Sequence, residues 1–264
     1  MLLDLESDIF ERLALGRVAD GWLHRATRET DSGLIHGRDA LVAATVRELA
    51  ETGPQQIAAA MELPGFLATA VSDAGGRRWR RHRWVALEGG RIASETLVAD
   101  LHPAAPAPGL RWPALGELAS GRGQRSASDA PDFADAIPED AAGIATLVHR
   151  VFNARRFDLV AAAFAPDGRW EGPGGAGGSP DDLAAQLVRL VAAAPDLTAT
   201  LDRVTAGEGA VATLWRIAGT TDGRRLAGFV SVLAVLADGA ITQLDVVADP
   251  TGILAAASAP AFAL

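Results

Sequence analysis

The chain has 264 residues, 49% hydrophobic and 22% charged, with a formal net charge of −9. That length supports one large domain or two of ordinary size, and the balance is that of a globular protein able to bury a core. The acidic total argues against a whole-molecule nucleic-acid binder, and the lack of cysteine excludes disulfides, thiolate nucleophiles and Cys-ligated metals.

All 24 basic residues are arginine, and there is no tyrosine. Schiff-base lysine chemistry and a tyrosine acid or oxyanion donor are thereby excluded, which leaves Asp, Glu and His for proton transfer. The first residues, "MLLDLESDIFERLALG", carry acids early and lack the basic and apolar regions of a signal peptide. No run of about 18 apolar residues marks a spanning helix. The expectation is a cytoplasmic protein with no membrane or nucleic-acid partner.

In chain order, "ADGWLH" (19–24) opens a first strand and "GRDALVAATVREL" (37–49) a helix. "RRWRRHRW" (77–84) follows the turn "AGGRRW" (74–79). As a strand, it puts Arg78, Arg80, His82 and Trp84 on one face and Trp79, Arg81, Arg83 and Val85 on the other. "LEGGRIASETLVAD" (87–100) is a turn and strand ending in Asp100. Residues 101–137 are rich in Ala, Pro, Gly and Ser and read as a linker, in which Trp112 and Leu115 are candidates to dock on a neighbour.

Beyond it, 139–165 has helical periodicity broken near Asn153–Arg156, so two helices are expected. "GRWEG" is a short strand, and "SPDDLAAQLVRLVAA" opens with an N-cap serine, Pro at N1 and acids in the first turn. Strands separated by "GEG", "TDG" and "ADG" turns complete the chain, an α+β order.

The two flanks resemble each other. "ADGWLH" matches "PDGRWE" (166–171), "GRDALVAATVREL" matches "GSPDDLAAQLVRL" (178–190), and "AGGRRW" matches "TDGRRL" (221–226). "LEGGRIASETLVAD" matches "LADGAITQLDVVAD" (236–249). The offset is 147–149 at most landmarks and 141 at the helix. Four landmarks in one order indicate a duplication. The domains are read as 1–100, a linker 101–137, and 138–264.

This ordered set, seen twice, resembles the nuclear-transport-factor-2-like superfamily, and within it the SnoaL-like polyketide cyclase and ketosteroid isomerase group. The resemblance covers about 1–100 and 139–256. It implies two cone-shaped α+β domains, each a bent antiparallel sheet on about three helices, with an apolar pocket at the open end. Because members of the group pair through their sheets, a tandem chain is expected to be an intrachain pseudo-dimer, monomeric or further dimerised. The first copy has only nine residues before Phe10, which is aligned with Phe157, so its first helix is expected to be truncated or supplied by the linker.

Asp245 leads the candidate bases. On a strand over 241–249 it shares a face with Ile241, Gln243, Val247 and Asp249. A carboxylate inside an apolar cone has a raised pKa and suits proton abstraction; facing out, it pairs with arginine instead. Asp249 and Asp100 end their strands and read as turn caps. His24 and Glu171 are aligned on the early strands and are further acid/base candidates.

His82 is the candidate from the arginine-rich strand, whose other readings are an anion contact, a nucleic-acid patch or a solvated strand paired with acids. Residues 1–100 hold twelve arginines against fifteen acids, which opposes the nucleic-acid reading. Trp22, Trp84, Trp170, Trp215 and Arg80 are the expected substrate-contacting wall. His36 reads as a loop brace and His149 as a core histidine.

No histidine spacing marks a metal site, and "GPGGAGGS" (172–179) lacks the pattern of a phosphate loop and reads as a flexible lip over the pocket or a disordered loop. The expected activity is cofactor- and metal-independent cyclisation, isomerisation or elimination on a small apolar carbonyl or polyketide-like metabolite. The alternative is a non-catalytic binding or assembly module of the same fold.

Overall fold

The structure, a computed structural model, describes residues 2–12, 19–30, 33–73, 78–99, 141–173, 177–221 and 224–248. The chain divides into two compact units, Met1–Leu110 and Arg111–Leu264. The expected linker with Trp112 and Leu115, together with Asp100, His102 and Asp249, lies outside the described residues.

Unit 1 contains α1 (Leu2–Phe10), β1 (Trp22–Thr30), β2 (Gly33–His36), α2 (Arg38–Thr52), β3 (Gln55–Leu63), β4 (Phe66–Asp73), β5 (Arg78–Glu88) and β6 (Arg91–Ala99). Unit 2 contains α3 (Ala141–Asn153), α4 (Asp158–Ala163), β7 (Phe164–Glu171), β8 (Gly177–Gly178), α5 (Pro180–Ala193), β9 (Thr198–Gly207), β10 (Ala210–Thr221), β11 (Arg224–Ala237) and β12 (Ala240–Ala248). The sheets run β2-β1-β6-β5-β4-β3 and β8-β7-β12-β11-β10-β9, the same order twice. In each, one pair is parallel, β1 with β6 and β7 with β12, and the rest are antiparallel. The same α+β topology is therefore present in both units, as the duplicated sequence predicts.

Local chemistry explains the repeated elements. The β5–β6 turn places Gly89 and Gly90 at φ 58° and 78°, and the β11–β12 turn places Asp238 and Gly239 at 51° and 74°. Two successive positive φ values suit a two-residue hairpin that follows sheet twist, and Gly-Gly and Asp-Gly favour them. Helix α5 starts in a reciprocal capping box, with Ser179 and Asp182 each satisfying the other's backbone N–H and Pro180 at the start.

Helix α1 packs on β3 as α3 packs on β9. The first helix of unit 1 is thus formed by its own residues, nine against thirteen in α3. The truncation was expected, but the alignment of Phe10 with Phe157 is not kept, because Phe157 is the N-cap of α4, the next helix.

Counting from the two hairpin turns puts the sheets in register. The pairs Val85–Glu95, Arg83–Leu97 and Arg81–Ala99 correspond to Ala234–Leu244, Val232–Val246 and Val230–Ala248. On the parallel pairs, Arg28–Glu95 corresponds to Trp170–Leu244, and Glu29–Thr96 to Glu171–Asp245. This corrects the sequence alignment of the early strands: the counterpart of Glu171 is Glu29, not His24. Register irregularities between Trp22 and Thr27, and between Ile241 and Gln243 on β12 opposite β7, absorb the difference.

Candidate functional site

The helix-facing side of the unit 1 sheet carries charge where a core is expected. Arg81 and Arg83 project from β5 on the same face as Trp79 and Val85, and Arg28 and Glu95 project from β1 and β6. Glu6 meets them from α1, where it shares a buried stripe with Leu2, Ile9 and Phe10.

Arg28 Nε lies 2.9 Å from Glu95 Oε2, with side chains 3% and 0% exposed. Arg83 bridges the two carboxylates, with Nη1 3.2 Å from Glu95 Oε1 and Nε 3.0 Å from Glu6 Oε2. Arg81 contacts Glu6 Oε1 at 3.2 Å and Glu48 of α2 at 2.6 Å, and it also donates to the Gln55 side chain. Aromatic rings wall the cluster. Arg81 lies 4.4 Å from the Phe10 ring and Arg83 5.4 Å, while Arg28 lies 5.5 Å from the Trp22 ring.

Desolvating a charge costs several kcal/mol, so these groups persist only through mutual compensation. Burial by itself pushes Glu95 up, but the Arg28 and Arg83 guanidiniums beside it, and contacts from Arg28 and Trp22, hold it below the usual carboxylate range. Burial likewise opposes the charge on Arg83, yet Glu6 and Glu95 raise its pKa above the ordinary value. A carboxylate held ionised this way is a poor general base, because its proton affinity is lowered.

The same positions in unit 2 are apolar. Val230, Val232 and Leu244 stand where Arg81, Arg83 and Glu95 stand in unit 1, and Trp170 stands where Arg28 stands. All four belong to one buried cluster with Ile144, Leu147 and Val151 of α3, Leu159 and Val160 of α4, Leu183 of α5, and Trp215 and Ile217 of β10.

Two indoles bring polarity into this interior. Trp215 Nε1 donates to Thr213 Oγ1 at 2.9 Å. Trp170, 2% exposed, has an Nε1 that is sealed from solvent and has no acceptor. Its ring is held close by Gly172, since a Cβ there would stand 2.2 Å from Trp170 Cζ3. The helical layer is pinned to the sheet edge. Asn153 at the end of α3 donates to Ala199 O and accepts from Ala199 N, both at 2.8 Å. Arg155, at φ 58°, donates to the carbonyls of Pro195 and Leu197 at 2.9 and 2.6 Å.

The expected site residues fall in several places. Trp22 is buried in the unit 1 interior, and Trp170 and Trp215 in the unit 2 interior, each within a hydrophobic cluster. His82 is fully buried on the sheet face opposite Arg81 and Arg83. It meets the Phe66 ring edge-on at 5.2 Å, and Trp84 on the same face lies 4.8 Å from Phe66. Arg80, also on that face, is half-buried. His24 and His36 are exposed, and so is His149, which is not the core histidine expected.

Asp245 does not share a face with Ile241. Leu244, Val246 and Ala248 point with Ile241 into the apolar cluster, and an irregularity next to Ile241 turns Gln243, Asp245 and Val247 to the other side. Asp245 is half-buried there, directly beside the exposed Glu171. Of the glycine-rich lip, Gly177 and Gly178 form β8 against Trp170 and Glu171, and 174–176 lie outside the described residues.

Within the arginine-rich strand, Arg81 and Arg83 pair with acids, as one reading expects, but inside the fold rather than in solvent. Arg81 and Arg83 are buried in a network with Glu6, Arg28 and Glu95, and those three residues were not singled out from sequence. The available signal was a charge at an apolar stripe position, Glu6 in α1. Among the described residues, no three His, Asp or Glu side chains gather as a metal-ligand set. Among them too, no helix is long and apolar enough to cross a membrane.

Residues 145–244 match the family model of the SnoaL-like domain. Similar solved structures include wild-type IdmH from Streptomyces antibioticus, named as a candidate polyketide cyclase. It is 19% identical, with a TM-score of 0.40 over 45% of this chain and 98% of that one. A candidate SnoaL-like polyketide cyclase from Jannaschia sp. CCS1 is 20% identical, with a TM-score of 0.38 over 44% and 92%. Bal32a, from a soil-derived mobile gene cassette, is 19% identical, with a TM-score of 0.36 over 41% and 90%. No curated protein matches the chain. By the family match, residues 145–244, the body of the second unit, are a SnoaL-like domain.

Proposed function

We propose that unit 2 is the small-molecule site of this chain and that it takes a small, largely apolar compound bearing a carbonyl group. The observation that supports this most is Trp170 Nε1, a buried donor without an acceptor in an interior built from aliphatic and aromatic side chains and the Thr213 hydroxyl that Trp215 occupies. Leaving such a donor unpaired costs about 1–3 kcal/mol. A ligand carbonyl that accepts from it recovers that cost, while its hydrocarbon body gains from leaving water. No described side chain buried in this interior is ionisable, so the reading begins with binding rather than turnover.

The test uses acetonaphthone and its carbonyl-free relative ethylnaphthalene as probes on the full chain. Trp170→Phe keeps a ring and removes the donor. A neutral hydrogen bond of about 0.5–1.5 kcal/mol corresponds to a roughly 2–10-fold loss for the ketone, with no change for the hydrocarbon. Equal losses for both probes, or none, contradict the assignment.

A second reading, cofactor-independent proton transfer of cyclase, isomerase or lyase type, draws on one observation. Asp245 and Glu171, both candidate bases, are register partners on adjacent strands and directly follow Leu244 and Trp170 of the interior. Paired carboxylates suit general acid/base work. On this reading Asp245→Asn and Glu171→Gln each abolish turnover of an identified substrate while the Trp170-dependent affinity stays; unchanged turnover in both variants rules it out.

A further inference from the structure

Strand β9 is the last strand of the unit 2 sheet among the described residues, with β10 on one side. An edge of this kind carries backbone N–H and C=O groups that point away from the sheet and are able to pair with another strand. Asn153 bonds both groups of Ala199, which fixes their outward direction there. Ala199, Leu201 and Val204 pair with Ile217, Trp215 and Thr213, every second residue of β10. Pair type alternates along an antiparallel ladder, so Leu201 and Val204 turn their backbone groups outward too. Their side chains are 39% and 44% exposed.

Unit 1 treats the same edge differently. Leu67 pairs with Arg83 and with Glu62 of β3, as Thr213 pairs with Val232, the counterpart of Arg83, and with Val204. The edge position of Val204 therefore holds Glu62 in unit 1, and the Glu62 carboxylate accepts from Leu2 N at the start of α1 at 3.1 Å. A charged side chain and a covering helix both oppose strand pairing at an edge. At the matching position β9 has an exposed valine.

The sequence of β9 is also self-complementary. Laid antiparallel on itself about the Asp202–Arg203 peptide, "ATLDRVTA" (199–206) sets Asp202 opposite Arg203, Leu201 opposite Val204, Thr200 opposite Thr205 and Ala199 opposite Ala206. The extra residue of β9 at the Leu214/Trp215 irregularity falls at this centre, so the outward groups of Leu201 and Val204 meet in this register. A shift by one residue sets Asp202 against Asp202 or Arg203 against Arg203, and like charges directly opposite are unfavourable. Within one chain, Arg216 Nε holds Asp202 Oδ1 at 2.8 Å, whereas Arg203 Nε stands 3.6 Å from Asp202 Oδ2, too far for a hydrogen bond.

We propose that β9 is an interface on which a second copy of this chain pairs edge to edge, antiparallel and two-fold symmetric, through Leu201, Asp202, Arg203 and Val204 of each copy. A two-fold contact uses one patch twice and closes, so the product is a dimer rather than a fibre. The proposal does not depend on the ligand assigned to unit 2.

The experiment is sedimentation velocity on the full chain over a series from about 1 μM to 1 mM, with circular dichroism to confirm that each variant is folded. The parent is expected to pass from monomer to dimer as concentration rises. Arg203→Glu and Asp202→Arg each set two like-charged pairs across the two-fold axis and weaken the dimer roughly tenfold or more. An equimolar mixture of these two variants has opposite charges in both pairs and restores the dimer. Val204→Lys, which gives β9 a charge where β3 has Glu62, stays monomeric over the range in which the parent dimerises. A parent that is monomeric throughout the series, variants that dimerise like the parent, or a mixture that associates no better than its components each overturn the proposal.

Discussion

Arg28 and Glu95 are register partners on adjacent parallel strands, and Arg28 Nε stands 2.9 Å from Glu95 Oε2 with both side chains sealed from water. Trp170 and Leu244 hold the same register in the other unit. One backbone thus supports an ion pair in one interior and an apolar contact in the other, and the difference between the units is one of side-chain chemistry.

Breaking the pair from one side leaves a buried charge. Arg28→Met is expected to destabilise unit 1 by about 3–5 kcal/mol, and Arg28→Met/Glu95→Leu by less than that single change. Because a two-unit chain need not unfold in one step, the measurement is hydrogen exchange in peptides from 2–99. A double variant worse than Arg28→Met contradicts the account.

The pH dependence follows from Glu95. Its folded pKa lies below the unfolded value, so its stabilising contribution is present above the unfolded pKa and is lost as pH falls through the folded one. Unit 1 is therefore expected to lose exchange protection as pH drops below about 4.5, the ordinary glutamate value. Unit 2, with no buried ionisable side chain among its described residues, keeps its protection further into acid. Exchange profiles from pH 6 down to about 3 check this; equal loss in both units contradicts it. Asp158 and Asp196 of unit 2 also have lowered pKa values, from hydrogen bonds with Arg156 and Thr220, but both are exposed and contribute little.

Gly172→Ala is expected to displace the Trp170 ring, because the new methyl falls 2.2 Å from Cζ3. The change should shift the near-ultraviolet circular dichroism and weaken acetonaphthone binding about as much as Trp170→Phe does, or more. An unaltered spectrum with unaltered affinity contradicts the close packing of this ring.

Asn153→Ala removes both hydrogen bonds between α3 and the β9 backbone. A cost of about 1–3 kcal/mol is expected for unit 2, since Ala199 N–H and C=O lose their partners. Exchange in peptides covering 198–207 should rise while that of unit 1 stays.

The sequence made the duplication legible because two-residue turns with forced positive φ, Gly89–Gly90 and Asp238–Gly239, leave a local signature. The burial of Trp22, Trp170 and Trp215 is legible too, because large apolar side chains on strands face a core. The register was not legible. Irregularities in β1 and β12 shift pairings without changing composition, so a matching of motifs puts His24 opposite Glu171, and strict alternation puts Asp245 on the face of Ile241. The network of Glu6, Arg28, Arg83 and Glu95 was hidden for a different reason. Each charge looks solvated in its own segment, and only the tertiary fold brings residues 6, 28, 83 and 95 together.

The most direct measurement is a crystal structure of the full chain grown with acetonaphthone. The account predicts the ketone among Trp215, Val232 and Leu244, with its carbonyl oxygen within hydrogen-bond distance of Trp170 Nε1. A ketone bound elsewhere, or a Trp170 Nε1 already satisfied by an acceptor of the chain itself, contradicts it.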